Sequence, residues 1–218
     1  MDAEFWLQRW HEGRIGFHRD EVMPLLERHW AALGVPAGGR VFVPLAGKTL
    51  DMHWLAAQGH EVLGVELSPL AVRAFFADAG LRPAIHADAE GVHHRAGPVD
   101  LVLGDVFALS EQLLAPMDAV YDRAAIIALP AAMRRRYVSE VYAKLPRGCR
   151  GLLITLEYPQ AQMDGPPFSV DEAEVRGLFE PEWAVELLER RDILSQEPRF
   201  RDDGVTALST AIYRLQRH

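Results

Sequence analysis

Val41-Phe42-Val43-Pro44-Leu45-Ala46-Gly47-Lys48-Thr49-Leu50-Asp51-Met52, followed by Val62-Leu63-Gly64-Val65-Glu66, is the stretch that decides the fold. Arg40 to Val43 has the composition of a short apolar strand, and Pro44 breaks it into a tight loop. A helical pattern follows through Met52, Leu55 and Ala56, with Trp54 beside them, and stops at Gly59. A second apolar strand then ends in a lone carboxylate, Glu66. Strand, glycine loop, helix, strand and acid make one half of a doubly wound nucleotide-binding fold. The acid lies 66 − 47 = 19 residues after Gly47, close to the spacing that sets a carboxylate against ribose hydroxyls.

The loop also narrows the choice of adenosine cofactor. Gly47-Lys48-Thr49 resembles the end of a phosphate-binding loop, but that motif needs a glycine where the chain has Phe42. The three-glycine fingerprint that lets a backbone approach a dinucleotide pyrophosphate is missing too. One glycine and a proline suit a cofactor without phosphates, and S-adenosylmethionine is the expected one.

The rest of the chain extends the pattern. Residues 3 to 11 carry Phe5, Trp6, Leu7 and Trp10 in a helix too short to stand alone. Gly13 and Gly16 then make a mobile connector, Ile15 to His18. Asp20 is the expected cap of a helix over residues 21 to 33, with Pro24 in its first turn. Ser68-Pro69 starts a helix that stops at Gly80. Ala84 to Ala87 is a third strand, and Val92 to Arg95 pairs hairpin-like with Val99 to Gly104. Met117 to Tyr121 is a strand with Asp122-Arg123 at its end. A helix follows Pro130 through Leu145, then a strand from Gly151 to Glu157. Ser169 is the expected cap of a helix to Phe179, and strands near 183 to 189 and 206 to 214 close the chain. The pattern is α/β, with a mostly parallel sheet and an antiparallel C-terminal hairpin. In such sheets ligands sit at the carboxyl ends of the strands, which gathers Leu45, Glu66, Asp105, Arg123 and Tyr158 around one crevice.

With 218 residues and 49% hydrophobic content, one domain over residues 1–218 is expected, split into an N-terminal helical lid (1–34) and a Rossmann-like core (35–218). The net charge of −8 disfavours nucleic acid as a partner. Arg134-Arg135-Arg136, the only basic run, is expected on a solvated helix face. A single cysteine, Cys149, permits no disulfide framework or thiolate cluster. No apolar run reaches membrane-spanning length and the N-terminus is not a signal peptide, so a cytoplasmic monomer is expected. The nine histidines show no metal-ligand spacing. His93 and His94, adjacent on a strand, point to opposite faces, so surface or turn positions and no metal are expected.

Several segments resemble one family. Pro44-Leu45-Ala46-Gly47-Lys48-Thr49 with Asp51-Met52, Gly59-His60 and Gly64-Val65-Glu66-Leu67-Ser68 are similar to the thiopurine S-methyltransferase family. So are Gly104-Asp105-Val106-Phe107, Tyr121-Asp122-Arg123-Ala124-Ala125 and Gly165-Pro166-Pro167-Phe168. Trp6, Trp10 and Gly16-Phe17-His18 look like that family's lid. The resemblance covers nearly the whole chain in order. It implies a class I, S-adenosylmethionine-dependent methyltransferase with a seven-stranded sheet, yielding S-adenosylhomocysteine.

Carried over by position, Trp10, Leu45, Gly47, Glu66 and Arg123 match cofactor contacts, and Asp105 with Val106 match the adenine segment. Phe17 matches a substrate-side aromatic, and Arg199, five residues before Gly204, matches an arginine placed at the acceptor. Tyr158 and Phe168 are further substrate-side candidates. The family cysteine is replaced by Ala46, a small residue that still fits. Each position has a plainer reading as well. Glu66 can cap the next helix, Arg123 can pair with Asp122, Trp10 can be a core anchor, and Tyr158 and Phe168 can be loop packing.

The expected reaction is methyl transfer to the sulfur of a small aromatic or heterocyclic thiol, with Arg123 or Arg199 stabilising the thiolate. Alternative acceptors are selenium or tellurium species or a natural-product thiol. A nicotinamide-dependent reductase and a non-catalytic cofactor-binding protein are the alternatives of other classes. Methyl transfer to sulfur needs no Lewis acid, so turnover is expected to survive exhaustive chelation.

Overall fold

A computed structural model describes residues 3–218; the first two residues of the expected lid lie outside that range. The chain opens with α1 (Ala3–His11) and α2 (Pro24–His29), then β1 (Arg40–Val43), α3 (Asp51–Ala57) and β2 (Glu61–Glu66). Next come α4 (Pro69–Asp78), β3 (Ala84–Ala87), β4 (Val92–Ala96), β5 (Val99–Leu103), α5 (Glu111–Leu114) and β6 (Ala119–Arg123). The last third holds α6 (Ala131–Glu140), β7 (Arg150–Glu157), α7 (Glu172–Phe179), β8 (Trp183–Asp192), α8 (Pro198–Asp202) and β9 (Ser209–Arg217).

The nine strands of the described residues join one sheet in the order β3-β4-β5-β2-β1-β6-β7-β9-β8. The run from β5 to β8 contains the expected seven strands, parallel through β7 and closed by the antiparallel β9 and β8. The β3–β4 pair extends the sheet to nine, antiparallel onto β5. Both faces of the central strands are covered, as parallel sheets require. Phe42, Leu63 and Val65 pack with Tyr137 and Phe179 on one side. Val41, Val43 and Val62 pack with Leu55, Phe75 and Trp30 on the other. This alternation follows from the two-residue period of a strand.

Several local expectations are corrected. Helix α2 begins at Pro24, and Asp20 caps nothing in it. The carboxylate that meets the incoming chain is Asp51, whose Oδ1 accepts the Met23 N–H at 2.8 Å. Ser68 does cap α4, accepting the Ala71 N–H at 3.3 Å. Ser169 does not cap α7; Asp171 accepts the Glu174 N–H, while Ser169 Oγ accepts the Tyr158 N–H. Arg134 is not on a solvated face. It is buried and grips Glu174 at 2.8 and 3.1 Å and the Leu129 carbonyl at 3.0 Å, joining α6 to α7.

Two histidines expected at the surface are interior. His60 accepts the Trp30 indole N–H at 3.0 Å, and His93 is 1% exposed. Spacing along the chain separates the histidines, but the β3–β4 hairpin brings two of them together. There the strand register places His86 opposite His93, a neighbourhood invisible to spacing along the chain. Cys149 is free and buried, its thiol pushed up to about 12 by burial and by the nearby Asp118. No helix among the described residues is long and apolar enough to cross a membrane.

Asp51 is 1% exposed and also accepts the Tyr121 hydroxyl at 2.8 Å, so one carboxylate ties α2, α3 and β6 together. Asp51→Ala strands the buried Tyr121 hydroxyl and the half-buried Met23 N–H, the former costing about 1–3 kcal/mol and the latter less. Urea denaturation should show a loss of about 2–4 kcal/mol.

Candidate active site

The crevice lies at the carboxyl ends of β1, β2, β5 and β6, where an open α/β sheet binds its ligand. It encloses about 1130 Å³, enough for an adenosine cofactor and a small acceptor together. Its floor is set by the loop after β1. Leu45 and Gly47 both have left-handed backbone, at φ 47° and 56°. Such a conformation costs a non-glycine residue on the order of 1–3 kcal/mol, and Leu45 adopts it where the loop turns under the crevice. The Ala46 N–H donates to the Val65 carbonyl at 2.9 Å. Trp10 of α1 packs over this loop, a Cβ at Gly47 meeting its ring at ordinary contact distance, so it is the left-handed φ that favours glycine there.

Glu66 ends β2 with its carboxylate bridging two loops. Oε2 accepts the Gly47 N–H at 2.8 Å and Oε1 the Ser68 N–H at 2.7 Å. The capping alternative therefore holds in part: the group serves the start of α4 and still lines the crevice. Burial raises its carboxyl above the usual range, against the pull of the backbone N–H groups of Ser68, Gly47 and Leu67. The folded chain thus takes up a proton between the ordinary glutamate value and the raised one. Its contribution to stability falls as pH rises through that window.

Asp105 lines the same crevice and accepts the Phe107 N–H at 3.0 Å, shaping a single 3-10 turn that places buried Val106 beside it. Arg123 leaves the end of β6 toward the crevice, while the adjacent Asp122 points into the opposite layer. There Asp122 accepts the Tyr137 and Tyr142 hydroxyls at 2.9 and 3.0 Å and the Ile126 N–H at 3.1 Å. Strand alternation thus separates Arg123 from Asp122, and the proposed surface pair does not form. Burial raises the Asp122 carboxyl despite those hydrogen bonds.

The N-terminal segment covers the crevice. Phe17 sits edge-on to Trp6 at 5.6 Å and to Trp10 at 5.7 Å. Two arginines hold its backbone: Arg199 Nη2 donates to the Gly16 carbonyl at 2.9 Å and Arg123 Nη2 to the Phe17 carbonyl at 3.5 Å. A Cβ at Gly16 would collide with the Arg199 guanidinium. Trp10, Phe17, Leu45, Gly47, Glu66, Asp105, Val106, Arg123 and Arg199 all line one space.

Tyr158 and Phe168 stand outside that lining and follow the plainer reading. The Tyr158 hydroxyl donates to the Pro167 carbonyl at 2.6 Å, and its ring meets Phe200 at 5.8 Å. Pro167 and Phe200 do line the crevice, so Tyr158 supports them from behind. The Phe168 N–H donates to the Ile127 carbonyl at 2.7 Å and its ring lies under Arg134. Proximity in sequence to a strand end did not reveal which way these rings turn.

Sequence reasoning missed His18, Lys48 and Arg136, all at the crevice. Burial lowers the His18 imidazole below its usual range, helped by the Lys48 charge, opposed by Asp20 and helped again by Arg123. Its position next to Phe17 was the available signal. Arg136 lies over the Phe107 ring at 4.2 Å.

The sheet order and the crevice together define a class I methyltransferase fold. A family model described as thiopurine S-methyltransferase matches residues 1–218. A thiopurine S-methyltransferase of Xanthomonas campestris pv. campestris is 66% identical over 217 residues, covering 100% of both chains. One of Bordetella parapertussis is 60% identical, covering 100% of this chain and 99% of its own. A solved structure of the Burkholderia thailandensis 1,6-didemethyltoxoflavin N1-methyltransferase, with its acceptor and S-adenosylhomocysteine bound, superposes with a TM-score of 0.66. It shares 19% identity and the match covers 99% of this chain and 86% of that one. The chain belongs to the thiopurine S-methyltransferase family.

Arg199→Ala removes the hydrogen bond to Gly16, worth about 1 kcal/mol. Amides of residues 15–18, including the His18 N–H that donates to Ile15, should exchange roughly fivefold faster. Strand amides should be unchanged.

Proposed function

We propose that the chain transfers the methyl group of S-adenosylmethionine to the sulfur of a small aromatic or heterocyclic thiol, thiopurines being the class to test first. The observation that carries this is the buried Glu66 carboxylate, anchored by Gly47 and Ser68 at the crevice floor, in a chain of this family. The donor set fits the cofactor: a carboxylate for ribose hydroxyls, the Asp105-Val106 turn for adenine, and no glycine nest for phosphates. When bound, S-adenosylmethionine supplies a methyl group already activated on a positive sulfur.

The residues then have positional work to do. Glu66 holds the ribose, the Leu45–Gly47 backbone lies beneath the cofactor, and Trp10 and Arg123 close over it. Phe17 faces the acceptor, and the arginines on the lid carbonyls keep water out. Arg123 and Arg199 also set positive charge where a thiolate would lie. His18, held below the usual imidazole range, accepts the proton of an acceptor that arrives as a thiol. On this reading the chain works as one domain, as a cytoplasmic monomer without a nucleic-acid partner. Family membership and the single-glycine loop speak against the nicotinamide reductase.

Incubation with a thiopurine and methyl-labelled S-adenosylmethionine should yield labelled thioether. Absence of turnover with thiopurines and simple aromatic thiols would overturn the acceptor class. Glu66→Ala should weaken S-adenosylhomocysteine by about 1.5–3 kcal/mol, measured by calorimetry. It should also cost the free protein about 1–2 kcal/mol, because two backbone N–H groups lose their acceptor. His18→Gln should slow alkyl thiols more than the more acidic aromatic thiols.

A further inference from the structure

At the sheet edge, away from the crevice, three side chains converge on one point. His86, Asp88 and His93 bring one ligand atom each to within 4.8 Å of one another. Asp88 Oδ2 lies 3.2 Å from His93 Nε2 and 3.9 Å from His86 Nε2. The cross-strand rings of His86 and His93 stack at 4.6 Å. We propose that these three side chains form a binding site for one divalent cation of the zinc type.

The decisive atom is His93 Nε2. His93 is 1% exposed, yet this nitrogen has no hydrogen-bond partner. The nearby Asp88 oxygen is close but not aligned for a hydrogen bond. The other ring nitrogen, Nδ1, faces both Asp100 oxygens, at 2.9 and 3.1 Å, and Asp100 is itself held by Arg95 Nε at 2.7 Å. A carboxylate there is met by a donor on Nδ1, which leaves Nε2 as the ring atom that an ion can engage. Carboxylate, imidazole and lone pair in line is the arrangement that orients a metal-ligating histidine.

Asp88 is prepared in the same way. Its Oδ1 is engaged by the Glu90 N–H at 2.9 Å, which leaves Oδ2 facing the two imidazoles. Bonds of about 2.0–2.1 Å at tetrahedral angles put neighbouring ligand atoms about 3.3 Å apart. The 3.2 Å pair already fits, and the half-exposed His86 ring, now stacked on His93 with Nε2 3.9 Å from the same oxygen, turns inward to complete the set. Two imidazoles and a carboxylate favour zinc over magnesium or calcium, with solvent at the fourth position. The ion would clip β3 to β4 beside the turn at Asp88–Gly91. That turn is joined to the next segment by the Glu90 carboxylate, which accepts the Ser110 N–H.

The test is calorimetric titration of the tag-free full chain with zinc, and cobalt absorption as a second probe. The expected result is one saturable site per chain and a rise in melting temperature with zinc. His86→Ala alters an exposed side chain and should leave the fold intact while abolishing both effects. Asp100→Asn keeps all three ligands and should weaken the ion by on the order of 10–100-fold. His94→Ala, on the opposite face, should leave binding unchanged. No stoichiometric zinc, as when a proton takes the place of the ion, overturns the proposal. So does binding that survives His86→Ala.

Discussion

The Glu66 carboxylate is the contact on which the active crevice depends. One oxygen holds the loop after β1 and the other holds the start of α4, so two separate chain reversals share one acceptor. Their shared position fixes the floor of the crevice before any ligand arrives. Holding a carboxylate in a buried place favours its protonated form, and the backbone N–H groups offset part of that penalty. A site that must meet hydroxyl donors benefits from this tension. The carboxylate's remaining lone pairs face the crevice and gain by finding a donor there.

Two other buried carboxylates flank the same region on opposite faces of the sheet. Asp51 receives Tyr121 and the chain entering α2, whereas Asp122 receives Tyr137, Tyr142 and the turn after β6. Because Tyr121 and Asp122 are neighbours on β6, one dipeptide sends a donor into one layer and an acceptor into the other. The end of β6 is thereby fixed from both sides, and Arg123 projects from it toward the lid with little freedom to wander.

The strand–loop–strand frame and the strand-end positions were legible because both follow from local patterns: apolar runs, a proline break, and an acid at fixed spacing. What stayed hidden depended on register or on side-chain direction. The β3–β4 extension appeared as strands, but not as two more members of one sheet. Asp20 and Ser169 looked like caps because capping types precede helices, but α2 has no side-chain cap and Asp171 caps α7. Arg134 looked solvated because a run of three arginines usually is, yet Glu174, forty residues away, gives it a buried partner. Tyr158 and Phe168 sit at the right place in the chain, with rings turned away from the crevice. His18 was passed over as part of a connector, and only its neighbours show why its imidazole is depressed.

The lid is fastened through main-chain oxygens. Arg123 and Arg199 grasp the carbonyls of Phe17 and Gly16, groups that every residue type possesses. The latch itself imposes little demand on side-chain identity at positions 15 and 18, whereas Phe17 also packs edge-on against Trp6 and Trp10, and a side chain at Gly16 would displace the Arg199 guanidinium. Substitution at positions 15 and 18 leaves the main-chain acceptors of that latch in place. Related chains can therefore vary the side chains at the crevice mouth while keeping the same main-chain latch.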